Sequence, residues 1–113
     1  MKRIKSMEEI NADIVLLDSE DKQIIEEIVK YEEEIFHEGA IGIWNIKPFI
    51  KYGKVYALVS LEARLISAIE IMKDFEEHKA YIYGFFTKES FRNKGYGDMF
   101  LKNILEELHN IYG

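Results

Sequence analysis

The chain has 113 residues, 48% of them hydrophobic and 32% charged, which is the composition of one folded domain spanning 1–113 rather than a disordered segment. Its formal net charge of −6 argues against general nucleic-acid binding, which needs a basic footprint, and suits a cationic small molecule or basic peptide. There is no cysteine, no apolar run near the ~20 residues that span a bilayer, and no apolar segment behind "MKRIKSMEEI". Disulfides, thiol chemistry, membrane insertion and a signal peptide drop out together, and a cytoplasmic protein is expected.

Residues 14–17, "IVLL", are too short an apolar run for a helix and read as a strand closed by Asp18 and Ser19. Either of those two caps a helix whose acidic first turn is Glu20 and Asp21. Ile24, Ile28, Tyr31 and Ile35 recur at helical spacing, flanked by Ile25, Val29 and Phe36, so one face is buried. The run Glu32, Glu33 and Glu34 reads as a solvated face of that helix. Gly39 and Gly42 break the pattern. Trp44 reads as core, and Pro48 suits the first turn of a short helix, "KPFIKY", with Gly53 just past its end.

The period then changes. "KVYALVSL" (54–61) and "LISAIEIM" (65–72) are β-branched or aromatic runs separated by "EAR", a hairpin-length gap. A polar loop, "KDFEEHK", leads to a third run, "AYIYGFF" (80–86). Both parities of these strands are largely apolar, as in a sheet covered on both faces. Leu101, Ile104, Leu105, Leu108 and Ile111 then keep helical spacing. The predicted order is strand, two helices, three antiparallel strands, helix: an α/β sandwich with a mixed, mostly antiparallel sheet.

Between the last strand and the last helix stands "FRNKGYG" (91–97). Glycine serves tight turns and close approach of backbone to a ligand. Cations add nothing to a helix N-terminus, whose dipole already favours negative charge. Arg92 and Lys94 are therefore expected to face an anion. The N–H groups of Asn93, Lys94, Gly95, Tyr96, Gly97 and Asp98 would lie where a helix leaves its first four donors unpaired, the recipe for a phosphate site. The spacing is neither that of a Walker loop nor that of a dinucleotide-binding fingerprint.

"RNKGYG" (92–97) resembles the Arg/Gln-x-x-Gly-x-Gly/Ala signature of the GNAT family of N-acetyltransferases. "YIYGFFTKESF" is similar to that family's fourth strand and loop, and "DMFLKNILEEL" to its third helix. The resemblance spans about residues 13–112 and is motif-grade over 80–105. It implies a GNAT-like sheet flanked by helices, β-α-α-β-β-β-α, without the family's usual C-terminal strands. It also implies acetyl-CoA as co-substrate, with its pyrophosphate on the amides of residues 93–98. Arg92 and Lys94 would screen the charge. The main chain of Phe85, Phe86 and Thr87 would run along the pantetheine arm, with the Phe85 amide near the thioester carbonyl.

Several positions depart from the family pattern. Glu89 stands where proline is frequent. Tyr81 and Tyr83 occupy the strand that often carries a glutamate base, and a phenol with the ordinary pKa of about 10 is a poor base at neutral pH. Glu70, among Ile69, Ile71 and Met72, is either a solvent-facing strand position or a carboxylate lining a cleft. Glu70 and Tyr83 are the catalytic candidates. The family continues with further strands where this sequence reaches Gly113. The strand 80–86 is therefore expected as an aromatic open edge, covered by a second copy or partner, or else belonging to a longer enzyme.

His37, His78 and His109 are far apart in unlike segments, so no metal site is expected. The inter-helix region around Trp44 lines the acceptor site in the family, and the end of the preceding helix borders it. Glu32, Glu33 and Glu34 there would draw in an amine. Three functions stay open on the sequence. The first is acetyl transfer from acetyl-CoA to a primary amine of a small cationic molecule or peptide. The second is a non-catalytic CoA-binding sensor or interaction module. The third is a phosphate site for another nucleotide on an unrelated α/β fold.

Overall fold

The computed structural model describes residues 1–37, 42–73 and 79–112, together with all side chains among them except those of Ile43, Trp44 and Tyr112. Gly39, His78, most of the "KDFEEHK" loop and the Trp44 side chain thus lie outside the described residues. The strands are β1 (Lys2–Met7), β2 (Ala12–Leu16), β3 (Lys54–Ser60), β4 (Leu65–Lys73) and β5 (Ala80–Thr87). The helices are α1 (Lys22–Phe36), α2 (Gly42–Tyr52) and α3 (Tyr96–Tyr112). One sheet runs in the order β1-β2-β3-β4-β5, with every neighbouring pair antiparallel. Among the described residues no helix is long and apolar enough to cross a membrane.

The predicted order is found, with one strand added at the front. β1 carries Lys2, Arg3 and Lys5 and is exposed along most of its length. Only Ile4 and Met7 mark it as apolar. Charged residues are a common way to blunt an edge strand, and they also erase its hydrophobic signature.

The sheet buries both faces, which explains why both parities of β3 and β4 are apolar. Val55, Ala57 and Val59 of β3 pack with Ile24, Ile25, Ile28 and Val29 of α1 and Ile46 of α2. Tyr56 and Leu58, pointing the other way, pack with Phe100, Ile104 and Leu108 of α3. The result is three layers: α1 and α2, the sheet, then α3.

Two helix starts differ from the prediction. Asp18 and Ser19 do not cap α1; Asp21 is its N-cap residue, without a side-chain cap bond. Asp18 and Asp21 close the preceding turn instead. Asp18 Oδ1 accepts from the Glu20 N–H at 2.8 Å, and Asp21 Oδ2 accepts from the Asp18 N–H at 2.9 Å. Short acidic side chains readily bond nearby backbone in this way. α2 begins at Gly42 rather than beside Pro48, which sits inside the helix.

The β4–β5 pairing contains an extra residue. Glu70 pairs with Gly84 and Ile71 with Ile82, leaving Tyr83 as a bulge in β5. The bulge turns Tyr83 toward α2, where its ring lies 4.9 Å from that of Phe49. β5 is otherwise an edge, with Tyr81, Ile82 and Tyr83 exposed.

α3 reaches the sheet through a glycine. A Cβ built on Gly97 would lie 2.6 Å from Thr87 Oγ1, so the first turn of α3 packs directly on the end of β5. Gly97→Ala should therefore lose ~1–3 kcal/mol by overpacking, despite alanine's better helix propensity. Thr87→Ala should recover much of that loss. Chemical denaturation of the four members of this double-mutant cycle measures the coupling. A Gly97→Ala variant more stable than the parent would show that the contact is misassigned.

Candidate functional site

The turn from β5 to α3 is built from two short devices. Phe91 and Arg92 donate their N–H groups to the carbonyls of Lys88 and Glu89, closing a 3-10 turn. Asn93 (φ 64°) and Gly95 (φ 79°) then take left-handed conformations, which asparagine tolerates and glycine adopts without strain. The first helical bond of α3 runs from the Met99 N–H to the Gly95 carbonyl at 3.1 Å. The N–H groups of Tyr96, Gly97 and Asp98 thus lack an intrahelical acceptor. A Cβ on Gly95 would meet nothing within 4 Å, so the space beside this residue is open.

Arg92 has a second task that the sequence did not reveal. Its Nε donates to the Thr87 carbonyl at 2.9 Å and its Nη2 to the Tyr31 hydroxyl at 3.2 Å. That hydroxyl also accepts the Glu89 N–H at 3.0 Å, and the Tyr31 ring packs on Phe86 at 4.8 Å. Lys88 pairs with Glu27 of α1 at 3.2 Å. The turn is therefore tied to α1 whether or not an anion is present. This corrects the expectation that an anion alone explains Arg92. Lys94 is exposed and has no partner among the described residues.

Strand alternation decides which groups of β5 face outward. The Lys88 N–H bonds the Ile66 carbonyl at 2.8 Å, across β4. Main-chain groups of alternate residues therefore point to β4 at Phe86 and Lys88, and to the open edge at Phe85 and Thr87. The Thr87 carbonyl is taken by Arg92, while the Phe85 N–H faces the edge. Side chains follow the other alternation. Phe86 is buried against α1, and Phe85 lies under α3 with its ring 6.3 Å from that of Phe100.

Glu70 is fully buried, which overturns the solvent-facing reading. Its carboxyl lies over Gly84: a Cβ there would sit 3.0 Å from Oε1. It meets Glu32 of α1, which is only 2% exposed, so Glu32 is not part of a solvated face as Glu33 and Glu34 are. With both groups ionised, three oxygens (both of Glu70 and Oε1 of Glu32) would lack a donor from any other described residue. The pair resolves this by holding a proton. Burial, then the hydrogen bond and charge of Glu32, push the Glu70 carboxyl up to about 9. Burial also raises Glu32, while the hydrogen bond from Glu70 works in the opposite direction.

The predicted residues thus separate into two groups, one in the turn after β5 and one on the β4–β5 pair. Arg92, Asn93, Lys94, Gly95, Tyr96, Gly97 and Asp98 form the turn, with Arg92 to Gly95 and Asp98 exposed and Tyr96 and Gly97 half-buried. Glu70 and Tyr83 share the α1–α2 face of the β4–β5 pair, Glu70 sealed and Tyr83 61% exposed. Gly84 and Phe85 join the groups. Glu32 was missed, although it falls three and four residues after Val29 and Ile28 on the apolar stripe of α1. A carboxylate at a core position of a helix was the available signal. Among the described residues no cluster of three or more histidine, aspartate or glutamate side chains is placed to hold a metal.

The sequence profile of the acetyltransferase (GNAT) family matches residues 15–112. Solved structures share the fold at low identity. A putative GNAT-family acetyltransferase from Staphylococcus aureus superposes with a TM-score of 0.69 at 14% identity, covering 86% of this chain and 91% of that one. An aminoglycoside acetyltransferase from an uncultured soil metagenomic sample, in complex with sisomicin, gives 0.69 at 14% identity over 90% and 72%. N-acetylglutamate synthase from Neisseria gonorrhoeae, complexed with coenzyme A and N-acetyl-glutamate, gives 0.68 at 17% identity over 88% of this chain and 23% of that longer one. None of the curated proteins is close enough in sequence to count as a match.

The shared proton has a consequence for stability. Folded Glu70 keeps its proton between the ordinary carboxyl value of 4.5 and about 9, where the unfolded chain has lost it. The native state binds more protons in that window, so stability falls as pH rises through it, with a slope approaching ~1.4 kcal/mol per pH unit. Glu70→Gln keeps a donor toward Glu32 and should flatten that slope. Urea unfolding of both proteins from acid to alkaline pH reads the difference. Parallel curves would refute the assignment.

Proposed function

Because the chain belongs to the acetyltransferase (GNAT) family and is by that membership an N-acetyltransferase, we propose that it moves an acetyl group from acetyl-CoA directly to a primary amine of a small cationic molecule or peptide. The observation that carries the cofactor assignment is the turn 92–98. It offers unpaired N–H groups at a helix start, open space before Gly95 and an exposed Lys94. These residues fit a pyrophosphate.

Acetyl-CoA supplies an acetyl group activated as a thioester. The amides of Asn93, Lys94, Gly95, Tyr96, Gly97 and Asp98 hold its phosphate end, with Lys94 and the remaining donors of Arg92 screening the charge. Gly97 serves two purposes, since its missing side chain also lets α3 close on Thr87. Phe86 contributes main chain only, because its ring is in the core. The outward Phe85 amide donates to the thioester oxygen, where transfer builds negative charge. One such aimed donor can be worth ~3 kcal/mol of barrier.

The attacking nitrogen has to be neutral, so the ammonium form must lose a proton first. We assign that part of the chemistry to the face carrying Glu70 and Tyr83. Glu70 is no ready base while it keeps its own proton, and its role runs through Glu32. A cationic acceptor is supported by the net charge of −6 and by the aminoglycoside-acetylating neighbour, whose structure holds sisomicin.

Isothermal titration with acetyl-CoA tests the turn. Lys94→Glu should weaken binding several-fold at low ionic strength, and the difference should shrink as salt screens the exposed charge. The melting temperature should stay near that of the parent, because Lys94 has no partner among the described residues. Acetyl-CoA binding that is absent in the parent, or unchanged in Lys94→Glu at low salt, would remove the basis for this reading.

A further inference from the structure

The ring and the hydroxyl of Tyr31 answer to different parts of the molecule. The ring continues the apolar stripe of α1 after Ile24 and Ile28, packs against the buried layer and meets the Phe86 ring at 4.8 Å. A phenylalanine ring would fill the same space. The hydroxyl reaches beyond the core and accepts from the Glu89 N–H at 3.0 Å and from Arg92 Nη2 at 3.2 Å. The apolar layer has no use for it.

Both donors belong to the segment that carries β5 into α3. Glu89 begins the 3-10 turn Glu89–Phe91, and its carbonyl receives the Arg92 N–H at 3.2 Å. Arg92 is exposed, yet its guanidinium is bonded twice, Nε to the Thr87 carbonyl at 2.9 Å and Nη2 to Tyr31. A guanidinium carries five N–H donors in one rigid plane, so two bonds on different nitrogens fix its orientation and leave three donors for a ligand. Without the hydroxyl, Nε alone would hold the group. α1 supplies a second tie one turn earlier, where Glu27 pairs with Lys88 at 3.2 Å and Lys88 Nζ lies 5.8 Å from the Tyr31 ring centroid. Glu27 and Tyr31 stand four apart and share a helix face. That ion pair is partly exposed, contributes little and does not touch Arg92.

We propose that Tyr31 is a positioning residue for the acetyl donor, its hydroxyl holding the Arg92 guanidinium and the turn before Asn93 in place for the donor's phosphates. The inference rests on the acetyltransferase reading. Tyr31 acts through Arg92 and the turn. Groups that are fixed beforehand lose less freedom when a ligand arrives, so affinity rises without a new contact. The sequence gives Tyr31 a place on a buried helix face, which accounts for the ring and leaves the hydroxyl unexplained.

The test compares the full chain with Tyr31→Phe, which keeps the ring against Phe86 and removes only the hydroxyl. The first readout needs no ligand. The 15N-labelled Arg92 Nε–H signal should be protected from solvent exchange in the parent and exchange faster in the variant. The second is affinity, from NMR titration with acetyl-CoA and with S-acetylpantetheine, which has the same thioester and arm without phosphates. Acetyl-CoA binding should weaken about threefold to tenfold, the weight of one ordinary hydrogen bond. S-acetylpantetheine binding should not change, whereas a general loosening of the fold would weaken both. Arg92→Lys keeps the charge but not the fork, so on that background Tyr31→Phe should cost far less acetyl-CoA affinity. Equal acetyl-CoA affinity in parent and Tyr31→Phe, an equal loss for both ligands, or full additivity with Arg92→Lys would overturn the positioning role and leave the acetyltransferase reading standing. A parent with a protected Arg92 signal that binds no acetyl-CoA would remove that reading, and the positioning role with it.

Discussion

β5 is held to the sheet along one side only, by β4, and one extra residue in that pairing sets the direction of every group that follows. Without the bulge at Tyr83, the side chains beyond it would exchange faces, because strand periodicity is two. Phe86 would leave the α1 layer, and Phe85 would lose its place under α3. Gly84 would no longer lie across from Glu70. The same register carries Thr87 to the point where its carbonyl receives Arg92 and its hydroxyl abuts Gly97. A one-residue irregularity thus connects a buried carboxyl pair to the glycine-rich turn before α3.

The glycines along this path illustrate how one residue type answers different constraints. Gly84 is needed because a carboxyl occupies the space its side chain would fill. Gly95 is needed for its left-handed backbone, φ 79°, with open space around it. Gly97 is needed because a helix and a strand end approach too closely for a Cβ. The turn motif alone makes Gly95 and Gly97 look equivalent. Their surroundings separate them, one set by its left-handed backbone with open space around it, the other crowded by the fold.

Electrostatics divide along the same strand. Beyond the C-terminal end of β5, unpaired N–H groups, Lys94 and part of Arg92 favour an anion. On the α1–α2 face, two carboxyls keep a single negative charge out of water. The two environments have opposite signs and lie at different ends of one short segment. Neither group is spent on the stability of the sheet, which rests on the apolar layers around β3 and β4.

Much of this protein is determined by local sequence. Three β-branched strands, the apolar stripes of α1 and α3 and the glycine-rich helix start are properties of contiguous residues, because period, propensity and turn chemistry act over a few positions. The strand β1 escaped because its edge position favours lysine and arginine over an apolar pattern. The start of α2 and the cap of α1 escaped because polar side chains chose among several nearby backbone donors. Tertiary structure alone decided that Glu32 and Glu70 meet. They are 38 positions apart, on a helix and a strand, and nothing local to either one names the other as its neighbour. The same holds for Arg92, whose donors reach Tyr31 on α1 as well as the end of β5. Charge, burial and proton sharing depend on distances between elements, and these exist only once the sheet has closed on both of its faces.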